Sequence, residues 1–186
     1  MLFLFIFFAQ ANINNSANED SALSEVIGGT TVHADTVEKE RLSNFSTEFK
    51  NSSKNRADNI ALASKSINDE IVMPGEIFSY NEAVGPTTKN NGYKLGHIFI
   101  KGKKSKGYGG GVCQVSSTLF NAAEQAGMEI VERHPHSLPV DYVPEDKDAA
   151  TSYGVIDLKF KNTTDSPVKI KSWIENETVN VSLKRC

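Results

Sequence analysis

Gly109, Gly110 and Gly111 lead into Cys113, and the cysteine opens a segment with the spacing of a helix. Val115, Leu119, Ala122, Ala123 and Ala126 recur at three- and four-residue steps and mark one apolar face. Gly127 follows the last of them, where a helix C-terminus favours glycine. A chain with such a stripe must fold so as to cover it. Cys113 falls in the first turn, where unpaired backbone N–H groups and the positive end of the helix dipole favour an anion. A thiol there has a lowered pKa and is more often the nucleophilic thiolate. The side-chain-free glycines would let a substrate backbone come close to the sulfur. The plain alternative is a small apolar cysteine packed under a glycine loop, since buried cysteine is common.

The rest of the chain supplies elements to cover that helix. Asn55 to Ile67 carries Ile60, Ala63 and Ile67 at helical steps and reads as an amphipathic helix ended by Asn68. Met73-Pro74-Gly75 is a turn, Ile77 to Tyr80 a short strand, and Gly85-Pro86 opens a polar loop. His97 to Ile100 and Glu129 to Glu132 read as strands. Val155 to Lys161 alternates apolar and polar residues at period two, as do Val168 to Ile174 and Val179 to Leu183. Polar turns at 162–165 and 175–177 separate them. The last third is therefore expected to be an antiparallel meander, and residues 42–186 a single α+β domain.

Residues 1–41 read differently. MLFLFIFF followed by Ala9-Gln10-Ala11 resembles the back half of a secretory signal with a small-residue cleavage site. The run is too short to span a bilayer. Asn12 to Glu40 is rich in Asn, Ser, Ala, Thr and acids without a period, and reads as a flexible leader. Export is the expectation. Net charge is −3 and the pI about 5.8, which argues against a nucleic-acid partner. Lys101, Lys103, Lys104 and Lys106 form the one basic cluster, either a solvated loop or a site edge that draws carboxylates.

A nucleophilic cysteine needs a base, and the base needs an orienting group. His33 lies in the leader, and His97 on a strand reads as a packed core histidine. His134 and His136 flank Pro135 in an extended segment, where residues two apart point the same way. Glu145, Asp146, Asp148 and Asp157 are acids downstream, with Asp148 in a polar loop from which it can return to a histidine. Cys113, His136 and Asp148 fit a cysteine–histidine–acid relay. Arg133 could hold a substrate carboxylate or make a structural salt bridge. Cys186, at the end of the chain, is read as incidental. The spacing lacks CxxC or HExxH, so no metal is expected, and no cofactor. Nor does a Lys-Ser or Lys-Thr follow the glycines as in a P-loop.

PGEIFSYNEAVGP, NNGY, GYGGGVCQVSSTLFNAA, ERHPHS, PVDYVP and DAATSYGVIDLKFKN together resemble a VanW domain, and the likeness covers nearly all of the chain after the leader. That family is named from accessory genes of glycopeptide-resistance clusters in Gram-positive bacteria. The resemblance implies cell-wall chemistry outside the membrane: a peptidoglycan L,D-transpeptidase that forms 3-3 cross-links through a cysteine thioester, with stem peptides as partners. It makes Cys113 the nucleophile, His136 the base and Asp148 the orienter. Gly110, Gly111, Gln114, Ser116, Ser117, Arg133 and His134 would line the substrate site, with backbone N–H groups and Gln114 at the oxyanion. Two features depart from the family pattern: DAA replaces DAT, and Asp146 stands where glycine is usual. A stem-hydrolysing cysteine peptidase and a non-catalytic peptidoglycan-binding module are the other expectations.

Overall fold

The computed structural model describes residues 41–186 apart from Lys101. The expected signal-like segment and leader lie outside the described residues. Strand β1 (Arg41–Glu48) is followed by helix α1 (Lys54–Ile67), strands β2 (Ile71–Val72) and β3 (Ile77–Ser79), and the short helix α2 (Tyr80–Val84). Next come β4 (Leu95–Ile100), β5 (Lys103–Tyr108), helix α3 (Val112–Gln125), β6 (Glu129–Glu132), β7 (Lys159–Lys161), β8 (Val168–Glu175) and β9 (Thr178–Arg185). The architecture is α+β, with every strand pair antiparallel.

Helix α3 is the centre of the fold. Val115, Leu119, Ala122 and Ala123 on its apolar stripe are all fully buried. Gln114, Ser116, Ser117, Thr118 and Asn121 of the same helix are buried too, so each needs an internal partner. Thr118 donates to Gln114 O at 2.7 Å and meets Thr47 of β1 at 2.8 Å. Gly127 has φ 72° just past the helix, the left-handed turn that glycine takes without strain. Helix α1 begins at Ser53, whose hydroxyl accepts from Arg56 N, and buries Asn59, Ile60, Ala63, Ser64 and Ile67. Its Ser64 meets Ser172 of β8 at 2.6 Å.

A four-stranded sheet, in the order β1-β9-β8-β2, backs the two helices. β8 and β9 form a hairpin through Asn176 and Glu177, at φ 48° and 56°. Two positive φ values give a turn whose twist matches that of the strands. Val168, Ile170, Val179, Val181 and Leu183 point inward without exposure, the face that the alternation marks.

The third strand expected in the C-terminal meander pairs elsewhere. Only Lys159–Lys161 of the segment from Val155 is extended in a ladder, and it lies between β3 and β6 in a separate sheet. The place beside β9 is taken by β1. Asp157 explains the shortening. Its carboxylate accepts from Ser79 Oγ at 2.6 Å, Asn81 N at 2.9 Å and Leu158 N at 2.8 Å, which ties the backbone there to the capped start of α2. Val155 is left 78% exposed. β4 and β5 form their own two-stranded hairpin, and His97 on β4 is exposed rather than a core residue. Among the described residues no helix is long and apolar enough to cross a membrane.

Candidate active site

The glycine run is packed against the protein itself. Gly111 caps α3 at φ 106°, and a Cβ there would lie 2.8 Å from Ile60 and 3.0 Å from the Arg56 side chain. A Cβ on Gly110 would come within 2.5 Å of His97 O. Asn59 of α1 clamps the run from below, donating to Gly110 O at 3.1 Å and Lys94 O at 3.0 Å. The vacant side-chain positions are filled by the fold, so these glycines serve close packing and a left-handed turn. Gly110 and Gly111 also border the cleft that holds Cys113.

Cys113 is the second residue of α3. Val112 and Gln114 turn their N–H groups back to Gly109 O and Gly111 O at 3.0 Å. The Cys113 N–H has no backbone acceptor among the described residues. Tyr80 fixes the start of the helix by donating to Val112 O at 3.0 Å. The half-buried thiol lies 3.6 Å from Thr151 O and 3.8 Å from Thr151 Oγ1.

The segment from Lys147 to Thr151 is tied along α3 by side chains. Ser116 donates to Ala149 O at 2.6 Å, Ser117 accepts from Ala149 N at 2.9 Å, and Asn121 donates to Lys147 O at 2.7 Å. Ser116 and Ser117 also donate to Cys113 O, at 3.1 and 2.7 Å. Both serines are fully buried. They set the acid-bearing loop against the cysteine's turn and cannot touch a substrate, which corrects the substrate-binding expectation for this pair. Asp146 enters the loop at φ 61°, the region that glycine occupies most readily.

Asp148 is the hub of that loop. Its Oδ2 lies 2.5 Å from His136 Nδ1 and 2.6 Å from the His136 backbone N, and its Oδ1 accepts from Arg133 Nη2 at 2.9 Å. Arg133 Nε donates to Asp148 O at 2.6 Å, and its guanidinium lies over the Phe120 ring. The Arg133 fork is thus committed to Asp148, and its expected use for a substrate carboxylate is replaced by the structural pairing. An ionised carboxylate only accepts, so His136 Nδ1 carries the proton and Nε2 is the atom left for Cys113. The Tyr142 ring meets His136 edge-on, with centroids 6.5 Å apart.

The shifts of Cys113, His136 and Asp148 all favour the charged forms. Burial pushes the Cys113 thiol up, but the neighbouring His136, helped by Thr151, outweighs it and lowers the pKa. Burial pulls His136 down, but Cys113 and then Asp148 raise it above its ordinary value. For Asp148, burial is again the largest single influence, and the bonds from His136 overcome it to lower the pKa. Each partner favours the charged form of the next.

His134 takes no part in this relay. Its side chain is 41% exposed and sits 3.1 Å from Glu132. Gln114 is 1% exposed, with its amide N–H groups given to Thr47 Oγ1 and Glu48 O and its oxygen taken by Arg56. Its side chain is spent on structure and not on an oxyanion, another correction. Sequence reasoning missed Thr151, Tyr142 and Arg56. Tyr142 lies within the PVDYVP string, but nothing in its spacing shows that it packs on His136.

Cys113 and His136 face a cleft of about 490 Å³ whose walls include Tyr80, Gly110, Tyr142 and Thr151. Among the described residues no cluster of three or more His, Cys, Asp or Glu could hold a metal ion. Cys186 is exposed at the end of β9.

In a Cys186→Ser background, alkylation of Cys113 by iodoacetamide is expected to show its pH midpoint below the usual thiol value of about 8.5. His136→Ala should raise that midpoint, because His136 is the main lowering influence. The rate-against-pH curve checks both; a midpoint at or above the usual value would refute the ion pair.

The sequence model of a family described as "VanW like protein" matches residues 55–184. An uncharacterized protein YoaR of Bacillus subtilis (strain 168) is 45% identical over 136 residues, covering 73% of this chain and 45% of that protein. The vancomycin B-type resistance protein VanW of Enterococcus faecalis (strain ATCC 700802 / V583) is 35% identical over 130 residues, covering 67% and 47%. The chain thus spans about half the length of the curated relatives it matches. No solved structure matches it.

Proposed function

The chain belongs to the VanW-like family, and on that premise we propose that it is a cysteine acyltransferase of the cell wall, an L,D-transpeptidase acting on peptidoglycan stem peptides. One observation carries the reading. A thiol in the first turn of a helix faces a histidine held by a buried aspartate, in a cleft large enough for a peptide.

His136 takes the Cys113 proton, giving thiolate and imidazolium. The thiolate adds to the carbonyl of the residue before the terminal D-Ala. The Cys113 N–H and the α3 N-terminus face the negative oxygen that develops. The imidazolium gives its proton to the leaving amine, the C–N bond breaks, and D-Ala departs, leaving a thioester on Cys113. An acceptor amine then attacks the thioester, His136 removes its proton, and the thiolate is released as the new amide forms. For a diaminopimelate amine the product is a 3-3 cross-link; for water it is a shortened stem.

The substrate places the reaction outside the membrane, so export of the chain belongs to the proposal. A part in glycopeptide resistance, which the Enterococcus relative has in its name, belongs to it as well.

Intact-protein mass spectrometry after incubation with tetrapeptide muropeptides is expected to show a Cys113 adduct equal in mass to the donor minus alanine. The adduct should be absent in Cys113→Ala. No adduct in the wild-type chain under turnover, or one that survives in Cys113→Ala, would overturn the proposal.

A further inference from the structure

We propose that Arg56 is the specificity residue of this site and binds the free terminal carboxylate of the acyl donor, the group one residue beyond the carbonyl that Cys113 attacks. The inference rests on the acyl-transfer reading above.

Arg56 stands out among the cations of the fold. Its half-buried guanidinium donates to Ser52 Oγ at 3.0 Å and to Gln114 Oε1 at 2.7 Å. Both acceptors are neutral. Arg133 and Lys159, by contrast, are matched by Asp148 and Glu132. Among the described residues no carboxylate forms an ion pair with Arg56. Glu48 lines the same wall but is held by Lys50 at 2.8 Å. Asp141 is close enough to favour the charged form of Arg56 without pairing to it. Burial is the largest influence on Arg56 and pulls its pKa down, so an arriving anion would relieve a desolvated charge. Two bonds leave the guanidinium with further N–H donors in a fork that suits a carboxylate.

The placement is as telling as the charge. Arg56 lies in the wall of the Cys113 cleft and also of a second cleft of about 870 Å³, which the two share with His97, Gln114, Val140 and Tyr142. Its stem packs where a Gly111 side chain would be, and its Gln114 partner follows Cys113 directly. The guanidinium therefore flanks the first turn of the nucleophile's helix. Successive Cα atoms are about 3.8 Å apart, so a carboxylate one residue past the scissile carbonyl falls in this neighbourhood. Held there, it would align the carbonyl with the sulfur and select donors that end at the next residue.

The test reads binding and needs no turnover. The full chain carrying Cys113→Ser is titrated calorimetrically with the diaminopimelate tetrapeptide ending in D-Ala, and with the same peptide as its terminal amide. The acid is expected to bind about tenfold or more tightly than the amide. In Arg56→Gln the two should bind alike. Arg56→Lys keeps the charge but not the fork and should retain part of the preference. Thermal midpoints report whether either variant is folded, and the Lys variant carries the comparison if the Gln variant is not. Equal binding of acid and amide to Cys113→Ser, a preference that survives Arg56→Gln in full, or no binding of either peptide would overturn the inference. An Arg56-dependent preference in a chain that never forms a thioester would instead reject the transfer reading and leave the carboxylate site standing.

Discussion

His136→Ala is expected to slow thioester formation by about two to four orders of magnitude, the usual loss on removing a general base, while the fold persists. The structure explains why both halves hold together. His136 Nδ1 is fixed by Asp148, so its Nε2 is the atom left to face Cys113 in the shared cleft. Without the ring, the thiol loses its main lowering influence, and Thr151 alone is left against burial, which raises it. Asp148 is not orphaned, because Arg133 and the residue 136 backbone N–H still donate to it. His134→Ala is the control. That ring is exposed and bound to Glu132, so its loss should cost far less. Single-turnover rates with a tetrapeptide donor, beside a thermal melt, decide the matter. A His136→Ala rate equal to wild type would reject the assignment, and an equal loss in His134→Ala would reject the choice between them.

That choice also shows how far the sequence could be read. An extended His-Pro-His segment puts both rings on one side at period two. Which one works is set by acids from different parts of the chain, Glu132 for His134 and Asp148 for His136. The helix around Cys113 was legible because periodicity is local, and so was the β8–β9 hairpin. The strand beside β9 was not. Arg41–Glu48 is polar along much of its length, and it pairs with a segment at the other end of the chain, a register no short window holds. The short β7 was hidden by an alternating pattern that Asp157 interrupts through bonds to Ser79 and Asn81.

The candidate site divides in the same way. That Cys113, His136 and Asp148 come together was legible from residue types and a specific motif. The roles of their neighbours were not. Ser116 and Ser117 beside a candidate nucleophile look like substrate ligands in a string of letters, but their full burial makes them struts. Arg56 on an amphipathic helix reads as a solvated face until the glycine run is seen packed against its stem.

Asp148→Ala is expected to lower stability by about 3 kcal/mol or more, the scale for removing one member of a buried ion pair. The change leaves Arg133, whose side chain is only 20% exposed, without its carboxylate, and frees His136 to turn. Arg133 is a burden only because the acid is gone. Asp148→Ala combined with Arg133→Met should therefore recover part of the loss. Asp148→Asn should cost less than alanine, since its amide oxygen can still accept one of these bonds. The pH dependence has a definite sign. Asp148 has a lowered folded pKa, so its contribution is present above the unfolded value of about 3.9 and is lost as pH falls through the folded value. His136 has a raised folded pKa, so its contribution is full below about 6.5 and is lost as pH rises through the folded value. The stability gap between wild type and Asp148→Asn should thus be widest between about pH 4 and 6.5, narrowing on the acid side as Asp148 is protonated and on the alkaline side as His136 loses its charge. Urea midpoints across that range measure the gap. A gap that stays constant from pH 3 to 8, on the order of the whole titration range, would mean that packing and not charge holds the loop to the cysteine's helix.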